Sequence, residues 1–420
     1  MQISLGVDLL FIGQTRFSLF HPRSSSSVGA GSGFLTPEDY EVYLYSDERI
    51  GLRTDIFINQ SLPQLALASK GFDLFHVVSY SAELPTKFQR LLEDAAERYQ
   101  FLVLDRQYSK PTVDPHDIAA QVLDGSDAAY GVYQLDDDGV VSLDYFEQMS
   151  QYVTGANAGM QVSLATGITA LGFDGNYSNF RSSYWPMHSM GLLSIWRRDN
   201  DGFLIGPDDA QHNLSDRTNP VIVDARKPGY FWVRHLTQDT SIRDRLGTGR
   251  AKLAENLQRY PSVSEDVDLG SIFPAIADRM ILPVNEQLLD TAANLSEVPI
   301  LYLDRPSSLF SLRLDAYFGE AAVTNSALVS LLLMDTKGAD ITDEVLIKAL
   351  LETGIGLSGN RNVGFYRYLK TSPGRSTNSY EFALPEGVLC RGFIFQHWMN
   401  PETTIVLHSV DVFSQTRASA

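Results

Sequence analysis

Short apolar runs alternate with amphipathic stretches of helical period through the first third of the chain, and this rhythm restricts the fold more than any other feature. VDLLFIG, FDLFHVVSY, YQFLVLD and AAYGVYQL read as buried strands, rich in β-branched and aromatic residues. Between them, PTKFQRLLEDAAERY carries Phe88, Leu91, Leu92 and Ala95 at helical spacing, and PHDIAAQVLDG opens with proline. Asp47 to Lys70 reads as one long helix with Pro63 kinking or dividing it. Strands alternating with helices predict βαβ units in a mostly parallel sheet, whose ligands lie at the carboxyl ends of the strands.

Downstream the rhythm changes. MGLLSIWRR, NPVIVDAR and GYFWVRH read as further strands, and helical patterning returns over 251–260 and 285–295, with the acidic linker PSVSEDVDLG between. From Val298 onward, short strands separated by turn residues predict a C-terminal antiparallel β-sandwich. The expected division is an α/β domain over 1–260, a linker with a short helix over 261–297, and the sandwich over 298–420. Glycan binding, oligomerisation and capping of the catalytic domain are the roles open to that sandwich; exposed Trp398, Phe395 or Tyr366 would favour glycan binding, and burial would mark them as core.

Charge narrows the function classes. With 33 Lys plus Arg against 51 Asp plus Glu, the formal net charge is -18, which disfavours nucleic acid and anionic membranes as partners. The single cysteine, Cys390, forms no intrachain disulfide and reads as a small buried hydrophobe. No apolar run approaches the ~20 residues that span a bilayer, and the first residues lack a signal-peptide pattern, so the expected address is the cytoplasm.

The chemistry concentrates at Asp136-Asp137-Asp138, which directly follow the apolar strand AAYGVYQL. Three adjacent carboxylates repel one another unless a cation compensates, and oxygen-rich sites suit Mn²⁺ or Mg²⁺ completed by water and phosphate oxygens. Asp136 and Asp138 straddle Asp137 and are the candidate metal pair, with a solvated acidic turn as the alternative. His235, closing the strand GYFWVRH, is the candidate third ligand, against a merely hydrogen-bonded histidine. Arg16, His21 and Arg23, in the Ser/Gly-rich loop after the first strand, are candidates to cradle a diphosphate. Asp208 and Asp209, after a Gly-Pro turn, are candidate general bases, Asp209 first, with His188 and His212 as rivals. Tyr177, Phe180, Tyr184 and Trp185 supply either platforms for sugar rings or core. Walker, GxSxG, HExxH and paired CxxC patterns are absent.

The segment Arg53 to Pro63, read as R-x-x-x-F-x-x-x-x-L-P, resembles a helix motif of the bacterial putative rhamnosyltransferases. TRFSLF, FDLFHVVSYSAELP and LDDDG are similar to that family in the same order, over roughly residues 5 to 240. The resemblance implies a GT-A-like nucleotide-binding fold, a nucleotide-sugar donor and a divalent metal on Asp136 and Asp138. It makes Arg53 a motif residue, which with Asp137 joins Arg16 and Arg23 on the cofactor side. At Gly139 the chain departs from the family, where a further acidic residue is expected. The function expected is metal-dependent transfer of a hexosyl or deoxyhexosyl unit from a nucleoside-diphosphate sugar to a hydroxyl of a surface glycan. A non-catalytic carbohydrate-binding protein and a metal-free glycoside hydrolase are the alternatives.

Overall fold

The structure, a computed structural model, describes residues 9–20, 37–238 and 253–414, apart from the single positions 109, 125, 174, 200, 255, 265 and 401. His21 and Arg23 lie outside the described residues. The N-terminal half builds two sheets. The larger uses β1 (Leu10–Arg16), β2 (Asp73–Ser81), β3 (Leu102–Gln107), β4 (Tyr130–Gln134), β6 (Gln161–Leu164), β9 (Leu193–Arg198), β10 (Leu204–Ile205) and β11 (Val221–Asp224). Its order is β11-β6-β9-β4-β1-β2-β3, with β10 on β9. The smaller, in order β5-β12-β7-β8, uses β5 (Gly139–Val141), β7 (Thr166–Phe173), β8 (Asn176–Tyr184) and β12 (Tyr230–Arg234).

The expected parallel block is present. β1 pairs parallel with both β2 and β4, and β2 with β3, whereas β9 runs antiparallel to β4. Strand order reverses direction at β1, so the carboxyl ends of β1 and β4 flank a topological switch point, where an open α/β sheet leaves a crevice. Both faces are covered. Phe11, Tyr133 and Val78 pack under α4 (Thr86–Arg98) and its Phe88, Leu92 and Ala95, while Leu91 is exposed. Ile12 and Val132 pack on the opposite face under Ala119 of α5 (Pro115–Val122).

Pro63 divides the long helix as expected, with a further consequence. α2 (Asp47–Ile56) passes through a π-helical turn, Phe57–Ser61, before α3 (Leu62–Ala68). Proline has no N–H to give the carbonyl four residues back, and the wider turn accommodates that lost bond.

The C-terminal part forms two antiparallel sheets. One holds Val284–Leu289, Ile405–Ser414, Leu309–Phe318 and Gly374–Ala383, joined by Ala293–Asn294; the other holds Leu301–Ser307, Val388–His397, Ala327–Asp335, Phe365–Tyr368 and Gly356–Leu357. Their apolar residues meet in one cluster in which Phe310 contacts Phe382 within its own sheet and Phe393 of the other. Cys390 and Phe395 are buried there. Trp398 is 41% exposed and lies near-parallel to Tyr366 at 6.4 Å. Two segments differ from their expected state. Residues 285–289 belong to a strand because pairing with Ile405–Ser414 overrides their local helical pattern. Glu344–Glu352 is a helix among the strands, capped by the Asp343 carboxylate on the Val345 and Leu346 N–H groups. The two halves touch through Arg181, which pairs with Glu381 at 3.1 Å, and through Leu171, Leu257 and Leu309.

Gly13, at the centre of β1, leaves room for side chains from the strands on either side. A Cβ there would lie 2.0 Å from His76 Nδ1 and 2.5 Å from the Tyr133 ring. Gly13→Ala is therefore expected to lose at least about 1–3 kcal/mol by overpacking, measured as a drop in the urea midpoint. An unchanged midpoint would show that the His76–Tyr133 contact yields freely.

Candidate functional site at the strand ends

The carboxyl ends of β1 and β4 are fastened from beneath by a buried relay. Thr15 Oγ1 donates to the Leu135 carbonyl (2.7 Å) and accepts from His76 Nε2 (2.9 Å), and His76 Nδ1 accepts from the Tyr133 hydroxyl (2.9 Å). With Nε2 donating to Thr15, a neutral imidazole leaves Nδ1 as the acceptor for the Tyr133 hydroxyl. Burial keeps it neutral, holding the His76 pKa down at about 3. The relay fixes Leu135 and hence the start of the triple aspartate.

Each aspartate has a different environment. Asp137 points inward: one oxygen accepts from the Ser18 N–H (2.9 Å) and hydroxyl (3.0 Å), and the other from Arg53. Ser18 carries a φ of 41°, a strained backbone for a non-glycine residue that these two bonds hold in place. Arg53 also reaches Asp138 at 3.2 Å. One helical turn earlier on α2, buried Arg49 donates to Ser18 Oγ (3.1 Å). The spacing of four puts both guanidinium groups on one helix face.

Asp138 is also met by His235, whose Nε2 lies 3.1 Å away while its Nδ1 accepts from Thr237 Oγ1 (3.0 Å). Strand register brings the two together. β5 begins immediately after Asp138 and pairs antiparallel with β12, Gly139 opposite Trp232, so the end of β12 arrives beside the motif. Burial alone would raise the Asp138 pKa, but Arg53, His235 and Arg49 outweigh it and hold the group below the usual carboxylate range. Burial lowers the His235 pKa, against the pull of Asp138.

Asp136 faces outward. It is solvent-exposed and accepts a hydrogen bond from Ser189. Desolvation first, then repulsion by Asp138, pushes its pKa up to about 6. Gly139 packs against Met190. A Cβ there would come within 2.8 Å of Met190 Cγ, so the further acid expected at this position has no room.

The remaining candidates distribute around this centre. Arg16 is exposed at the end of β1, and its charge is felt by His212. Asp208 and Asp209 are exposed on the wall of a cleft of about 520 Å³, lined also by Gln14, Gln134, His116 and Trp196. The Asp208 N–H donates to Asn219 Oδ1 (2.7 Å). His188 is buried, its ring 3.8 Å from that of Tyr230 and its Nδ1 accepting from the Met190 N–H; burial holds its pKa down at about 3. Arg49, Ser18, Thr15, His76 and Ser189 were not read from sequence; the only signal was the i, i+4 spacing of Arg49 and Arg53.

Among the described residues no three His, Cys, Asp or Glu side chains converge as a metal cage. The donor set does fit a divalent ion of the kind bound through one or two carboxylates and completed by substrate phosphates and water. Asp136 and Asp138 are mutually repelling oxygen donors, and Asp136 is accessible.

A family model described as putative rhamnosyl transferase matches residues 11–240. The chain belongs to this family. The matched region runs from β1 through β12. Among solved structures, S. aureus TarS 1-349 in complex with UDP-GlcNAc is similar at 10% identity, covering 58% of this chain and 64% of that one with a TM-score of 0.27. The same fragment in complex with UDP gives 11%, 62%, 67% and 0.26. Likeness this distant carries no argument about activity. No curated protein matches the chain. Among the described residues no helix is long and apolar enough to cross a membrane.

The buried imidazoles set a pH response. Above their ordinary value of 6.5 neither the native nor the unfolded state is protonated at His76 or His188. Below it the unfolded chain takes up protons that the native state refuses, so stability is expected to fall as pH drops from 6.5 toward 3. Urea midpoints across that window should fall less steeply in His188→Gln than in the parent. Equal slopes would show that His188 titrates freely in the native state.

Proposed function

We propose that the protein is a glycosyltransferase that takes a nucleoside-diphosphate sugar as donor and passes a hexosyl or deoxyhexosyl unit, rhamnosyl by the family description, to a glycan hydroxyl. The observation that carries this reading is the division of labour in the triple aspartate. Asp137 is consumed as an internal anchor and Asp138 is shared with Arg53 and His235, while Asp136 faces out at the switch-point end of the sheet. Asp136, Asp138 and, at the second rank, His235 would hold Mn²⁺ or Mg²⁺. A divalent ion there supplies charge neutralisation for the departing diphosphate.

The chain's own residues do the rest. Arg53 and Arg49 offset the buried negative charge, so the motif stays ordered before any ligand arrives. Arg16 is placed to donate to a phosphate oxygen from the end of β1. In the reaction, the bond between the anomeric carbon and the phosphate oxygen breaks, the acceptor oxygen bonds to that carbon, and Asp209 takes the hydroxyl proton. His188 positions the segment that carries Ser189 and does not itself move a proton. We read the chain as a transferase unit through residue 260, a linker, and a C-terminal β-sandwich from 298, with Phe273 and Ile276 of the linker packed against the smaller N-terminal sheet.

Thermal unfolding against a panel of nucleoside diphosphates, with and without Mn²⁺, tests the reading. A ligand at ~100 times its Kd stabilises the native state by roughly 2.7 kcal/mol. The expected result is a metal-dependent rise in Tm with one base, lost in Asp136→Ala, a variant that leaves the Arg53–Asp137 anchor intact. No shift with any nucleotide in folded protein would contradict it and favour a carbohydrate-binding protein.

A further inference from the structure

The four aromatic residues around position 180 separate cleanly. Tyr177 and Phe180 are buried in the core of the smaller sheet, whereas Tyr184 is 62% exposed and Trp185 45% exposed. Trp185 meets Trp232 edge to face, with ring centroids 5.3 Å apart and planes at 87°, so the two indoles form a right-angled corner. The Arg234 guanidinium lies over the Trp232 ring at 4.2 Å. Among the described residues Arg234 has no hydrogen bond or ion pair, which leaves its N–H donors available. Trp185 is held by its own N–H on the Ala165 carbonyl (2.8 Å), so the corner is preformed.

Both walls of this corner lead to the triple aspartate. Trp232 is paired with Gly139, next to Asp138, and Arg234 precedes His235. On the other wall, Ser189 follows Trp185 by four residues and donates to Asp136. An exposed indole face favours the C–H face of a pyranose, and a guanidinium fork favours its oxygens.

We propose that Trp185, Trp232 and Arg234 form the acceptor subsite, taking a pyranose ring of the acceptor glycan on the Trp185 face with an oxygen of that sugar bonded to Arg234. The assignment rests on the glycosyltransferase reading for its role, and on geometry alone for its ligand class.

Saturation-transfer NMR and titration of the full chain with neutral and uronic-acid-bearing di- to tetrasaccharides test it, the two probe types separating a hydroxyl from a carboxylate as the partner of Arg234. The expected result is saccharide binding that weakens by about tenfold in Trp185→Ala and is largely restored in Trp185→Phe. Nucleotide-induced shifts in Tm, recorded on the same samples, report the donor site separately. Equal binding by the parent and Trp185→Ala, or no binding of any probe by the folded parent, would overturn the subsite. Trp185-dependent saccharide binding without any nucleotide response would uphold the corner as a sugar site and overturn the transferase reading instead.

Discussion

Burying a carboxylate next to two others is the constraint on which the N-terminal half is organised. Asp137 sits 3% exposed between neighbours of its own sign, a position that fails without cations brought from elsewhere in the chain. Arg53 supplies one, the Ser18 backbone supplies a hydrogen bond from the loop after β1, and Arg49 holds the Ser18 hydroxyl in turn. Two separate pieces of chain, α2 and the loop after β1, thereby converge on one side chain. Leaving such a charge unpaired typically costs about 3–5 kcal/mol, so the anchor couples the order of the motif to the packing of α2.

The same arrangement explains why the motif is asymmetric. A carboxylate that faces inward and is satisfied by arginine is unavailable to a ligand, and in the turn closed by the Gly139 N–H on the Asp136 carbonyl only Asp136 of its two neighbours is exposed. Asp138 is partly committed to Arg53 and His235, while desolvation and the neighbouring carboxylates outweigh Ser189 and Arg53 at Asp136 and raise its pKa. Trp232 lies in the same β5–β12 pairing, so one register brings His235 to Asp138 and sets one wall of the aromatic corner.

Much of this was legible in the sequence. The strand–helix rhythm gave the parallel block, and AAYGVYQL running into Asp136 put the carboxylates at a strand end. His235 was readable as a strand terminus, but its meeting with Asp138 depends on antiparallel pairing across 97 residues. The buried arginine at position 49 was invisible for the opposite reason: on a helix, a lone arginine reads as solvated, and only its partner turns it inward. Residues 285–289 misled because a short segment with helical spacing carries no mark of the distant strand it will join. The aromatic cluster could be named in advance but not sorted, since exposure separates Trp185 from Tyr177 and exposure is a tertiary property.

The most direct test of the central claim is a crystal structure with a nucleoside diphosphate and Mn²⁺, with anomalous diffraction locating the metal. The account predicts an anomalous peak beside Asp136 and Asp138 at the ends of β1 and β4, with Arg53 still bound to Asp137. A nucleotide bound elsewhere, or Arg53 released from Asp137 to hold the phosphates with no metal present, would contradict it.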